Sequence, residues 1–200
     1  MASVGFWFDF ASTYSYLAAM RVEAQAKSSG VQVAWEPFLL GPIFARQGWT
    51  DSPFNLFPAK GLNMWRDLER QCEKYGYPLQ RPDVFPQNGL IAARLALLGR
   101  DFGWTGEFTR AVFHAQFGQG KDISGPDVLS GILTELGLAA EALLAETRIP
   151  IMKEALKDQG READRIGLYG APSFVTSDGE LFWGNDRMED AFDWELRHNG

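Results

Sequence analysis

The chain has 200 residues, of which 46% are hydrophobic and 14% aromatic, enough for one large folded core and too much for a disordered chain. Its formal net charge is −7 and it has no long basic run, which argues against a nucleic-acid surface. No stretch approaches the roughly 18 consecutive apolar residues of a membrane span, no basic and apolar leader opens the chain, and the single cysteine, Cys72, excludes an internal disulfide, so a reducing cytoplasm is the expected compartment.

Val4-Gly5-Phe6-Trp7-Phe8-Asp9-Phe10 is a short aromatic and β-branched run that predicts a buried strand over 4–10. A helix is expected over about 14–28, closed by Ser28-Ser29-Gly30, where glycine suits the left-handed position after a last turn. Val31–Glu36 reads as a second strand, and strand, helix, strand in such quick succession predicts a right-handed βαβ unit with parallel strands. From Pro37 to Pro58 the chain is rich in breakers (Gly41-Pro42, Gly48, Ser52-Pro53) and reads as an irregular loop, a length usually kept for function.

Helical periodicity then takes over. Leu62, Trp65, Leu68, Cys72 and Tyr75 form a stripe closed by Gly76, which makes Cys72 a buried, inert thiol. Ile91–Leu98 ends at Gly99, and Phe108, Ala111, Val112 and Ala115 form another stripe. Ser124-Gly125-Pro126-Asp127 reads as a capping box ahead of Val128, and Ala139 to about Gln159 supplies a further helix or pair. Pro172–Thr176 and Leu181–Trp183 flank the turn Ser177-Asp178-Gly179-Glu180 as a β-hairpin. A last helix places Met188, Ala191, Phe192 and Leu196 inward. The order βαβ, helices, β-hairpin, α predicts an α/β fold, a thioredoxin-like sheet with an all-helical insertion. The sheet domain is expected over about 1–55 plus 160–200, and the insertion over about 56–159.

Three junctions carry polar chemistry. Ser12-x-x-Ser15 stands between the first strand and the first helix, where free backbone N–H groups and the helix dipole favour an anion or thiolate. Thioredoxin-type enzymes carry Cys-x-x-Cys there; with serine at both positions, the thiol of an active site must come from a ligand. The plainer reading of Ser12 is a helix cap. Gly170-Ala171-Pro172-Ser173-Phe174 puts a proline at the start of a strand, either a simple edge proline or the cis-proline that faces the redox motif in thioredoxin-like proteins. Trp183-Gly184-Asn185-Asp186-Arg187 enters the last helix. Asn and Asp there are ordinary caps, and are also the groups that hold an α-amino acid head.

These stretches, together with Pro58-Ala59-Lys60-Gly61-Leu62-Asn63-Met64-Trp65-Arg66-Asp67-Leu68, resemble the kappa-class glutathione transferase family and, within it, the 2-hydroxychromene-2-carboxylate isomerases. The resemblance covers nearly the whole chain in order and implies a DsbA-like fold, glutathione as cofactor and a homodimer. It implies that Ser12 hydrogen-bonds the glutathione sulfur and that Ala171, before Pro172, pairs through its backbone with the cysteinyl part. Asn185 and Asp186, with Arg187 beside them, then bind the γ-glutamyl part. Lys60 meets a substrate carboxylate, and Asn55 is the nearest match to an asparagine of the irregular loop. Thr13 departs from the proline of many relatives, and Asn63 from the tyrosine of many isomerases.

The activity so implied is glutathione-dependent cis–trans isomerisation of a small aromatic or conjugated carboxylate, an aromatic or enone-type pyruvate. The alternatives are a kappa-type transferase conjugating electrophiles and a catalytically silent thioredoxin-like binding protein. A disulfide oxidoreductase is disfavoured, because neither Ser12 nor Ser15 can form a mixed disulfide. His114 and His198 lack a second ligand at metal-binding spacing, so no metal is expected.

Overall fold

The computed structural model describes residues 2–199. Strand β1 (Ser3–Phe8) runs parallel to β2 (Gln32–Pro37), from Ser3 opposite Gln32 to Phe8 opposite Pro37. Helix α1 (Thr13–Ser29) makes the crossover, so the expected βαβ unit is present. It closes at Gly30, whose φ of 72° lets its N–H reach the Ala26 carbonyl. The first strand ends two residues earlier than expected. At Asp9 the backbone turns, its carbonyl accepting from the Ser12 N–H at 2.9 Å.

Strands β3 (Ser173–Val175) and β4 (Leu181–Trp183) form the expected antiparallel hairpin. β3 pairs antiparallel with β1, giving the order β2-β1-β3-β4. Alternation along β1 serves both faces of the sheet. Phe6 and Phe8 enter the main core, where Phe6 stacks on Phe174, while Trp7 joins Phe38, Leu40, Ile43, Ala163 and Leu168 on the other side.

The segment after β2 corrects the expected irregular loop. It contains α2 (Leu40–Arg46) and α3 (Pro53–Leu56). Pro42 and Pro53 lie in first turns, where a missing N–H leaves no intrahelical bond unmade. Leu39 gives α2 no side-chain cap; Asp9, from the end of β1, receives the Leu40 N–H at 2.6 Å instead.

Helix α4 runs from Pro58 to Tyr75. Its buried face is Gly61, Met64, Trp65, Leu68 and Cys72, and Leu62, expected inward, is 73% exposed. The reason is a close approach: a Cβ on Gly61 would lie 2.2 Å from the Phe54 carbonyl oxygen, so the face centred on Gly61 packs under α3 and Leu62 is turned away.

Helices α5 (Leu90–Arg100) and α6 (Thr105–Phe113) follow, and a π-helical turn, His114–Gly118, continues α6. Helix α7 (Pro126–Glu135) has no side-chain cap, which corrects the expected capping box. Ser124 instead accepts from the Asn88 N–H with its hydroxyl and donates its own N–H to Asp122. The expected helix pair is α8 (Ala140–Glu146) and α9 (Pro150–Arg165). Side chains from α4, α5, α6, α7 and α9 enter the same core as α1 and the sheet.

Helix α10 (Met188–Asn199) buries Met188, Ala191 and Phe192 as expected. Leu196 is 40% exposed, and its neighbour Glu195 is the buried residue. Burial pushes the Glu195 carboxyl up, but hydrogen bonds from Ser177, Ser3 and Asn199 outweigh it and hold the group below its ordinary value.

Candidate active site

The C-terminal end of β1 delivers Ser12 to the N-terminus of α1 as its cap. The Ser12 hydroxyl accepts from the Ser15 N–H at 3.1 Å and donates to the Ala171 carbonyl at 2.9 Å. The Ala171–Pro172 peptide bond is cis. Two of the three sequence junctions thus meet through one hydrogen bond across 159 residues of chain.

Ser12 and Ala171 lie where two cavities adjoin. The larger, about 1060 Å³, is lined by Ser12, Lys60 and aromatic side chains that include Phe44, Trp49 and Phe54. The smaller, about 790 Å³, is lined by Pro172, Asn185, Asp186 and Arg187, together with Arg21 and Asp67. Tyr14, Ala171 and Trp183 line both and form the seam. Trp183 is 51% exposed and lies tilted against Tyr169, with ring centroids 5.1 Å apart and the planes at 58°. Its indole rests on Gly170, where a Cβ would come within 2.2 Å of Nε1.

The structure therefore brings together Ser12, Ala171, Pro172, Asn185, Asp186, Arg187 and Lys60 around two adjoining spaces. Lys60, in the first turn of α4, has its ammonium 4.7 Å from the Phe57 ring centroid. Asn55 stands apart: its amide donates to the Asp51 carboxylate at 3.0 Å and the Phe85 carbonyl at 3.2 Å, and it lines neither cavity. Asp51 itself does line the larger one.

Asn185–Arg187 is a single 3-10 turn. Gly184 precedes it with φ 116°, and a Cβ there would lie 2.5 Å from an Asp186 carboxylate oxygen. Only glycine admits that combination. Arg187 forms an ion pair with Asp190 at 2.9 Å and stands 3.9 Å from Asp186.

Three site residues escaped the sequence reading. Asp9 lines the larger cavity and is buried, 3% exposed. Burial pushes its carboxyl up to about 6, against the pull of the Ala11 and Leu40 N–H groups. Tyr14 donates to Asp67 at 3.0 Å, and burial together with that carboxylate raises its pKa, keeping it a phenol. Arg21 lines the smaller cavity. Tyr14 and Arg21 are seven residues apart on α1, hence on one face; that spacing was the available signal, but nothing local says what the face meets.

Residues 3–193 match the model of the DSBA-like thioredoxin domain. The chain belongs to that family. Within it, the chain is 31% identical to a 2-hydroxychromene-2-carboxylate isomerase of Sphingobium xenophagum, over 94% of each chain. It is 26% identical to human glutathione S-transferase kappa 1, over 94% of this chain and 88% of that one. Among solved structures, a 2-hydroxychromene-2-carboxylate isomerase superposes with a TM-score of 0.87 at 24% identity, covering 98% and 97% of the two chains.

Serine fills both positions where a thioredoxin-type redox motif carries cysteine. Cys72 cannot replace them. It lies inside α4, 2% exposed, with its thiol pushed up to about 11 by burial. Among the described residues no group of three His, Cys, Asp or Glu side chains is placed to hold a metal ion, and no helix is long and apolar enough to cross a membrane.

Proposed function

We propose that the protein is a glutathione-dependent cis–trans isomerase acting on an aromatic or enone-type pyruvate such as 2-hydroxychromene-2-carboxylate. The observation that carries this reading is the Ser12 hydroxyl, at a helix N-terminus, on the Ala171 carbonyl, at the seam of two cavities. The donor set suits glutathione. The smaller cavity holds cations (Arg21, Lys74, Arg187) and carboxylates (Asp67, Asp186, Glu189) in balance, as a zwitterionic peptide end requires. Ala171 presents main-chain N–H and C=O beside it for an extended cysteinyl unit.

In this reading Asn185 and Asp186 hold the γ-glutamyl end and Arg187 braces their turn through Asp190. The Ser12 hydroxyl turns from the Ala171 carbonyl toward sulfur. That movement frees the carbonyl to accept a ligand N–H and, with the N-terminus of α1, stabilises a thiolate. Bound glutathione supplies a thiolate that adds reversibly to the conjugated double bond, which rotates as a single bond before the thiolate leaves. Lys60 faces the substrate carboxylate and the negative charge that develops beside it. Tyr14 stays protonated and walls the seam, and Asn55 acts at one remove by holding Asp51. The same reading takes the protein to be a homodimer working in a reducing cytoplasm.

The similarity to a kappa transferase and the breadth of the larger cavity favour one second reading, conjugation of glutathione to an electrophile. Incubating the protein with glutathione and a cis-configured aromatic pyruvate separates the two. An isomerase returns all of the glutathione with the trans product, whereas a transferase consumes it mole for mole. Absence of saturable glutathione binding by calorimetry overturns both and leaves a silent binding protein.

A further inference from the structure

Arg21 lies in the third turn of α1 and is the most enclosed cation of the smaller cavity, its side chain 12% exposed. One guanidinium nitrogen, Nη1, donates to the Asn185 side-chain oxygen at 2.8 Å and to the Asn185 backbone carbonyl at 3.2 Å. The other, Nη2, pairs with the Glu189 carboxylate in the first turn of α10. The guanidinium carbon sits 4.3 Å from the centroid of the Tyr75 ring, on α4. One side chain thus ties α1, α4, the Asn185–Arg187 turn and α10 together around the cavity.

The chemistry of the groups fixes the orientation of Asn185. A guanidinium has donors and no acceptor, so the amide atom facing it must be oxygen. The NH₂ end of Asn185 then points away from Arg21. It donates to no protein group among the described residues, and Asn185 lines the cavity. Glu189 already neutralises the Arg21 charge, so the guanidinium acts on its neighbours and not as a free cation for a ligand.

We propose that Arg21 is a positioning residue for thiol-cofactor selection: it turns the Asn185 amide so that its NH₂ donates to the γ-glutamyl carboxylate, and leaves Asp186 for the ammonium. This rests on the glutathione reading above. It differs from a structural tie in acting on one end of the ligand only. Cysteinylglycine, which lacks the γ-glutamyl unit, is therefore blind to it.

Calorimetric titration of the unaltered protein, Arg21→Met and Arg21→Lys with glutathione and with cysteinylglycine tests the proposal, alongside their melting temperatures. The unaltered protein is expected to prefer glutathione. Arg21→Met is expected to lose about tenfold or more of that preference, the scale of a lost hydrogen bond to a charged group, with cysteinylglycine affinity retained. Lysine keeps a charge toward Glu189 but lacks the fork that bridges Asn185 and Glu189, so Arg21→Lys falls between and carries the test if the methionine variant fails to fold. Full retention of the preference, or equal losses for both thiols, overturns the proposal. Failure of the unaltered protein to bind either thiol overturns the glutathione reading itself.

Discussion

The two cavities on either side of Trp183 are built in opposite ways. The smaller is walled by charges that already have protein partners: Arg21 with Glu189, Asp67 with Arg70 and Tyr14, Arg187 with Asp190. They sit on α1, α4 and α10 and on a turn that the conformation of Gly184 fixes. The larger is walled mainly by rings and aliphatic side chains on α2, α3 and the segments around them, with Lys60 as its cation. A charged wall selects one arrangement of opposite charges, because a misplaced partner leaves buried polar groups unpaired. An apolar wall selects by shape, and one methylene more or less changes little. On the function proposed above, the difference is that of a site for an invariant cofactor facing a site for variable substrates.

The sharpest way to break that comparison is at the seam. Ser12→Ala should lower turnover about ten- to a hundredfold, since a hydrogen bond to a charged sulfur contributes about 1.5–3 kcal/mol. Glutathione should still bind through Ala171 and Asp186, and loss of the helix cap should cost about 1 kcal/mol of stability. Initial rates at saturating glutathione measure this, and an unchanged rate removes Ser12 from the reaction.

On the charged side, Asp186→Ala should weaken glutathione about five- to tenfold, a modest loss because the carboxylate is largely exposed. A lowered melting temperature with unchanged affinity in the same titration would reduce Asp186 to a helix cap. On the aromatic side, Lys60→Met should slow carboxylate substrates about two- to fivefold, a small loss because Lys60 is exposed to water. An uncharged conjugated electrophile should be nearly indifferent; equal losses on both would take Lys60 out of carboxylate recognition.

The smallest effect expected is one of pH. Asp9 has its carboxyl raised from 3.8 to about 6 by burial. Between about pH 4 and 6 the folded protein holds a proton there that the unfolded chain has released, so stability falls as pH rises through that window. Urea midpoints across the window should fall more steeply in the unaltered protein than in Asp9→Asn. Because Asp9 holds the N-terminus of α2, which walls only the larger cavity, the KM for substrate should show an inflection near pH 6 that Asp9→Asn lacks. Glutathione affinity should not distinguish the two proteins.

What the sequence disclosed follows the same division. The βαβ unit, the hairpin, the cap at Ser12 and the special proline at 172 are set by neighbours within a few residues, and composition and spacing reveal them. The helices α2 and α3 were hidden because their prolines read as breakers, and because the cap of α2 comes from Asp9, 31 residues back in the turn after β1. Leu62 was misplaced because periodicity gives the width of an apolar face but not the close approach of Gly61 to Phe54 that turns it. The residues around Ser12 were visible as separate local signals. Arg21 was not, since an arginine on a helix acquires meaning only from the turn it meets, 164 residues away.

Trp183 carries an optical consequence. Its indole is fixed in place against Gly170 and half open to solvent at the wall that both cavities share. A ligand arriving from either side dries the same chromophore. The change in tryptophan emission lost on Trp183→Phe substitution therefore reports occupancy of both spaces from one position. Stopped-flow traces started with glutathione, then with an aromatic pyruvate analogue, then with both, would show whether either can enter first. The order of assembly at this seam can be followed without a label and without turnover.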